Sequence, residues 1–195
     1  MTFIDVSLKD IIQSLYGAFR LAKGDKTGLR YFNATYEDFW KSFYALVLIA
    51  PVFCVLLIIK YVSNDENISS IRFGSIYIIT YIIGWVAFPL VIFHILNYIS
   101  MGDKFIRYIV TYNWASVLQN FIYLPFAILV EARIFTGFPA TIIGLILLSI
   151  ILAYTWFITK VALETTNIFV SSIVIIDLFL SIFLSSISQG MIFNV

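Results

Sequence analysis

The chain has one cysteine, Cys54, and one histidine, His94, in 195 residues. A lone thiol excludes a disulfide framework, and one Cys with one His is too few for a cysteine zinc site. Cys54 falls in an apolar run and is expected to be a buried, inert thiol. Charged residues make up only 12% of the sequence, about half the share of a soluble domain. The net charge of +1 leaves no electrostatic case for nucleic acid. Motifs of hydrolytic and nucleotide chemistry are missing too. There is no H-E-x-x-H and no G-x-S-x-G, and Gly24-Asp25-Lys26-Thr27-Gly28 does not have P-loop spacing. No enzymatic activity, catalytic residue, metal or cofactor is therefore expected. A continuous apolar run is also missing before residue 42, so the first residues do not form a signal peptide.

What is present is apolar: hydrophobic residues make up 62% of the chain. A helix crosses the roughly 30 Å hydrocarbon layer with about 20 such residues. Spans are predicted at about 43–62, 73–99, 107–130, 139–160 and 167–190. Between them lie four polar breaks, Ser63 to Asn67, Gly102 to Lys104, Glu131 to Gly137 and Glu164 to Asn167, none long enough for a soluble domain. Backbone groups in lipid must bond within their own segment, so the spans are expected to be helices, and the alternating ten-residue segments of a barrel are not seen. Pro51, Pro89 and Pro125 fall inside spans, where proline kinks a helix. The expected fold class is an all-α membrane protein: residues 43–195 as a five-transmembrane-helix bundle, residues 1–42 as a cytoplasmic N-terminal segment. Lys9, Arg20, Lys23, Lys26, Arg30 and Lys41 weight the N-terminal side, which predicts N-in, C-out.

Leu8, Ile11, Ile12, Leu15, Phe19 and Ala22 recur at helical spacing, behind a capping box of Ser7 and Asp10. Lys9, Arg20 and Lys23 can face lipid headgroups. The stripe fits an amphipathic interfacial helix on the inner leaflet, and equally a helix packed on the cytoplasmic end of the bundle. Tyr31 to Tyr44 is rich in aromatics, as an interfacial belt is. The sequons Asn33-Ala34-Thr35 and Asn67-Ile68-Ser69 are not expected to be glycosylated, one being cytoplasmic and the other in a tight turn.

Asp177 is the sharpest residue, alone in the middle of the fifth span. Insertion scales charge roughly +3 kcal/mol for a central Asp against about −0.5 for each Ile, Leu or Phe, so the span still inserts, but the carboxyl should not face lipid. Ser181, Ser185 and Ser188 share its face, and Ser181 with Ser185 makes a small-x-x-x-small pair. Similar stripes run along the third span (Asn113, Ser116, Asn120, Glu131) and the second (Thr80, Gly84, Ala87, His94). The three stripes are predicted to face one another, with His94, Asn113 or Asn120 as partners for Asp177. The set either glues helices together or lines a proton, ion or solute path. With one Asp and one His at depth, glue is the favoured expectation.

Three stretches carry a family resemblance: Ser14-Leu15-Tyr16-Gly17-Ala18-Phe19-Arg20, Tyr36-Glu37-Asp38-Phe39-Trp40-Lys41-Ser42-Phe43, and Tyr112-Asn113-Trp114-Ala115-Ser116. With a short N-terminal segment leading into five close spans, the chain resembles the bacterial members of the Yip family, named for proteins that interact with Ypt/Rab GTPases. The resemblance implies a five-helix bundle with a cytoplasmic N-terminus and a periplasmic C-terminus in a bacterial inner membrane. Eukaryotic members act in vesicle traffic and membrane shaping, through a much longer N-terminal region than this one, so a GTPase partner is not implied here. The expected role is a non-enzymatic membrane organiser or scaffold whose partners are the lipid bilayer and a second copy or another membrane protein. A small transporter built on Asp177 and His94, and an accessory subunit of a larger complex, are the alternatives.

Overall fold

The computed structural model describes residues 6–64 and 68–193. Most of the first polar break, and Asn67 of the second sequon, lie outside the described residues. The elements are α1 (Leu8–Ala22), a 3-10 turn (Lys26–Tyr31), α2 (Tyr36–Ser42), α3 (Tyr44–Val62), α4 (Ser70–Tyr98), α5 (Phe105–Glu131), α6 (Gly137–Leu163) and α7 (Asn167–Phe193). No strand occurs among the described residues. Among the described residues, five helices are long and apolar enough to cross a membrane: α2 running into α3, then α4, α5, α6 and α7. The protein is an all-α integral membrane bundle. The helices run through Pro51, Pro89 and Pro125.

At the centre stands α5, packed against α3, α6, α1 and α2 and touching α4. Its Tyr108 and Trp114 are among the largest fully buried side chains. Trp114 joins Ile49 of α3 and Ile158 of α6 in one apolar cluster; Tyr108 joins Phe88 and Ile92 of α4 and Ile173 of α7 in another. Outward faces carry Ile79, Leu145 and Phe183 into what the bilayer covers. Cys54 is also exposed on α3. This corrects the expected buried thiol: an apolar neighbourhood in a membrane span means lipid as readily as protein core.

Side chains from other elements close the helix ends. At the α1 end of the bundle, Lys104 donates to Leu163 O at 2.7 Å and Arg107 to Ala162 O at 2.6 Å, satisfying the last carbonyls of α6. At the opposite end, Lys60 of α3 pairs with Glu131 of α5 at 3.0 Å, and Arg72 of α4 donates to Met191 O of α7 at 2.5 Å.

Below the bundle, α1 folds back on the 3-10 turn. Ser7 and Asp10 form both halves of the capping box, each at 3.2 Å. Gly24, at φ +78°, ends the helix, and Asp25 starts the turn. Thr35, from the first sequon, caps α2 by accepting from the Asp38 amide at 3.1 Å.

Candidate functional site

A cavity of about 410 Å³ lies between α3, α4, α5 and α7. Helix α7 contributes Asp177, Ser181, Ser185 and Ser188, and α5 contributes Tyr112, Ser116, Asn120 and Tyr123. Tyr77, Thr80, Tyr81, Gly84 and Trp85 line it from α4, and Phe53 and Leu56 from α3. Asp177 lies about 15 Å along α7 from Asn167 at 1.5 Å per residue, which is mid-hydrocarbon. Ser188 is about 16 Å further on. The cavity therefore runs from the middle of the bundle toward the end that carries Lys60 and Arg72.

Asp177 is the only charged side chain in the wall. Its Oδ1 accepts from the Tyr112 hydroxyl at 2.8 Å. Among the described residues it forms no ion pair. Tyr112 is held in turn by Phe88, whose ring centroid lies 4.4 Å away. Ser116 donates to Tyr112 O at 2.9 Å and Asn120 to Ser116 O at 2.8 Å, so both polar side chains are tied back to α5. Ser188 likewise donates to Ser185 O at 2.9 Å. Ser181 and Ser185 are exposed rather than pressed against a neighbouring helix. Their small size leaves room instead of drawing two backbones together.

Three expected members stand elsewhere. His94 is exposed, 5.6 Å from the Phe93 ring, and does not pair with Asp177. The stripe from Thr80 to His94 marks one edge of α4's inward face; the middle of that face is filled by Phe88, Ile92 and Leu96. Asn113 is buried and donates to Ser42 Oγ at 2.9 Å, locking α5 to the end of α2. Glu131 pairs with Lys60 instead of lining the stripe. Sequence reasoning missed Tyr112. Its signal was the spacing Tyr112, Ser116, Asn120 and Tyr123, one residue away from the stripe that began at Asn113.

Further helix–helix polar bonds are made by residues outside the expected set. Gln119 donates to Thr155 Oγ1 at 3.0 Å, Tyr108 and Thr159 share a bond of 3.0 Å, and Trp156 donates to Ser171 Oγ at 3.2 Å.

The α1 residues divide between two surfaces. Ile11 and Leu15 pack on the bundle beside the buried Ala18 and Leu21. Leu8, Ile12 and Phe19 are exposed, with Lys9 and Lys23 exposed near them. Lys23 Nζ sits 4.4 Å from the Phe19 ring centroid. Arg20 turns inward, donating from Nε to Asp25 Oδ2 at 2.7 Å. Asp25 also accepts from the Thr27 hydroxyl at 2.7 Å and its amide at 2.9 Å. The Thr27 bonds first, and then Arg20, hold its carboxyl down at about 2.

Comparison with known protein families, with characterised proteins and with solved structures finds no match to this chain.

Proposed function

We propose that this chain is a non-enzymatic integral membrane protein that binds a small solute inside the bilayer, in the manner of a small transporter, with Asp177 as the anchoring group. The observation that carries this reading is the 410 Å³ cavity with Asp177 in its wall, a size within the roughly 300–1,000 Å³ of small-molecule sites. Of the expected polar set, Asn113 takes the structural role with Ser42, and other helix contacts are bonded by Gln119 with Thr155 and Tyr108 with Thr159. Asp177 contributes one bond to helix packing and lines the cavity. An intramembrane carboxylate in that position is by default a binding or pathway group.

The positive-inside rule gives the direction. Lys9, Lys23, Lys26, Arg30, Lys104 and Arg107 belong to the α1 end, against Lys60, Arg72 and Arg133 at the other. The α1 end is then cytoplasmic, and the cavity extends toward the outer side. The test is water access. In a Cys54→Ala background, Ser181→Cys should react with a charged thiol reagent added from outside, and the lipid-facing Ile182→Cys should not. Equal inertness at the two positions would end the proposal.

A second reading has its own support. A Yip-like membrane organiser would use the exposed edge of Leu8, Ile12 and Phe19, flanked by Lys9 and Lys23, to lie on the anionic inner leaflet of a bacterial inner membrane.

A further inference from the structure

The cavity wall combines one carboxylate with an unusual density of aromatic rings. We infer that its solute is an organic ammonium, one positive nitrogen on an apolar body, with the charge held by Asp177 and the body held against the rings of α4. The inference rests on the solute-binding reading of the same cavity and adds the chemical class.

Charge points to it first. An ionised carboxylate in a low-dielectric interior is costly unless a counter-charge accompanies it. The bundle offers Asp177 one hydroxyl, from Tyr112 at 2.8 Å, and no Lys or Arg lines the cavity. A ligand that carries a positive charge supplies the partner the wall lacks. An anionic solute would meet a negative wall with no compensating cation. A divalent cation is a poor match as well: among the described residues no group of three His, Cys, Asp or Glu side chains is available to hold one.

The rings point the same way. Trp85, Tyr81, Tyr77 and Tyr123 border the space with Phe53. They are braced by one another: Phe53 and Tyr81 stack at 4.4 Å with planes 17° apart, and Tyr81 meets Trp85 edge-on at 6.4 Å. The Tyr81 hydroxyl is fixed on Leu46 O at 2.7 Å. Rigid ring faces attract a cation through their quadrupoles and cover an apolar body equally well. The exposed hydroxyl of Ser181, one turn along the Asp177 face, can accept an N–H group that the carboxylate does not.

The experiment is equilibrium dialysis of radiolabelled 2-phenylethylammonium, 2-phenylethanol and 3-phenylpropanoate against the full chain in lipid nanodiscs. The expected result is saturable binding of the ammonium, at least tenfold tighter than the alcohol, with none of the carboxylate. Asp177→Asn should remove that preference, and Trp85→Leu, which keeps the carboxylate, should weaken the ammonium about 3- to 30-fold. If all three compounds bind the chain alike, or if Trp85→Leu and Asp177→Asn both leave the ammonium unchanged, the cation assignment is wrong while the cavity remains a solute site. If none of the three binds saturably, the solute-binding reading falls with it.

Discussion

Asp25 and Asp177 are the same residue in opposite circumstances. Asp25 sits in water at the α1 turn, with both oxygens occupied by Thr27 and Arg20. Its carboxyl is lowered from 3.8 to about 2, so the folded turn binds its proton less readily than the unfolded chain does. Its contribution to stability is therefore full above about pH 4 and is lost as pH falls toward about 2. A carbon-13 titration of the Asp25 carboxyl should give a midpoint near 2, and Thr27→Val should raise it; a midpoint at the ordinary value in the intact chain would contradict the hydrogen bonding described. Asp177, in contrast, has Tyr112 and an open cavity. A charge inside an apolar run is conspicuous in a sequence, so Asp177 and the serines on its face were legible. Tyr112 was not, because one tyrosine among 12 draws no notice and its role depends on a neighbouring helix. Asn113 was misassigned by one position, which on a helix is a turn of about 100°.

Among elements, the junction of α1 with the 3-10 turn is closely packed. A Cβ at Gly17 would lie 2.7 Å from Tyr31 Cβ and 3.0 Å from Gly28 O. A methyl group there must push two backbones apart. Gly17→Ala should therefore cost about 1–3 kcal/mol of local stability. Hydrogen exchange would report it as faster exchange of the Lys26–Tyr31 amides, with Gly74→Ala, where a Cβ meets nothing within 4 Å, as the unaffected control. Unchanged exchange in Gly17→Ala would mean the two segments are not in contact. The five long helices fall close to the spans expected from sequence because run length alone fixes how much chain the hydrocarbon layer holds. Helix α2 was not visible. Its aromatics read as an interfacial belt, whereas Thr35 caps it and Phe39 turns into the core cluster. His94 was misplaced because large apolar side chains, not small residues, fill the middle of α4's inward face.

For the molecule as a whole, the open question is which surface meets lipid headgroups. If α1 rests on the inner leaflet, a spin label at Ile12→Cys in a Cys54→Ala chain should collide more with dissolved oxygen than with a water-soluble nickel chelate. A label at Gln13→Cys, on the next face of the helix, should show the reverse. Identical profiles at the two positions would leave α1 as a foot in plain water, and the membrane-organising reading would lose its support.

The central position of α5 bears on how the chain is made. It is the least apolar of the five spans and the most buried. A segment of that kind leaves the translocon reluctantly when alone, and it does so more easily beside a helix already in the membrane. During synthesis α3 is available to it, but Thr155 and Thr159 of α6, the partners of Gln119 and Tyr108, have yet to emerge. A pause with α5 already in the membrane and α6 not yet emerged would thus leave polar groups stranded in oil, and the nascent chain would be a ready target for membrane quality-control proteases until α6 arrives.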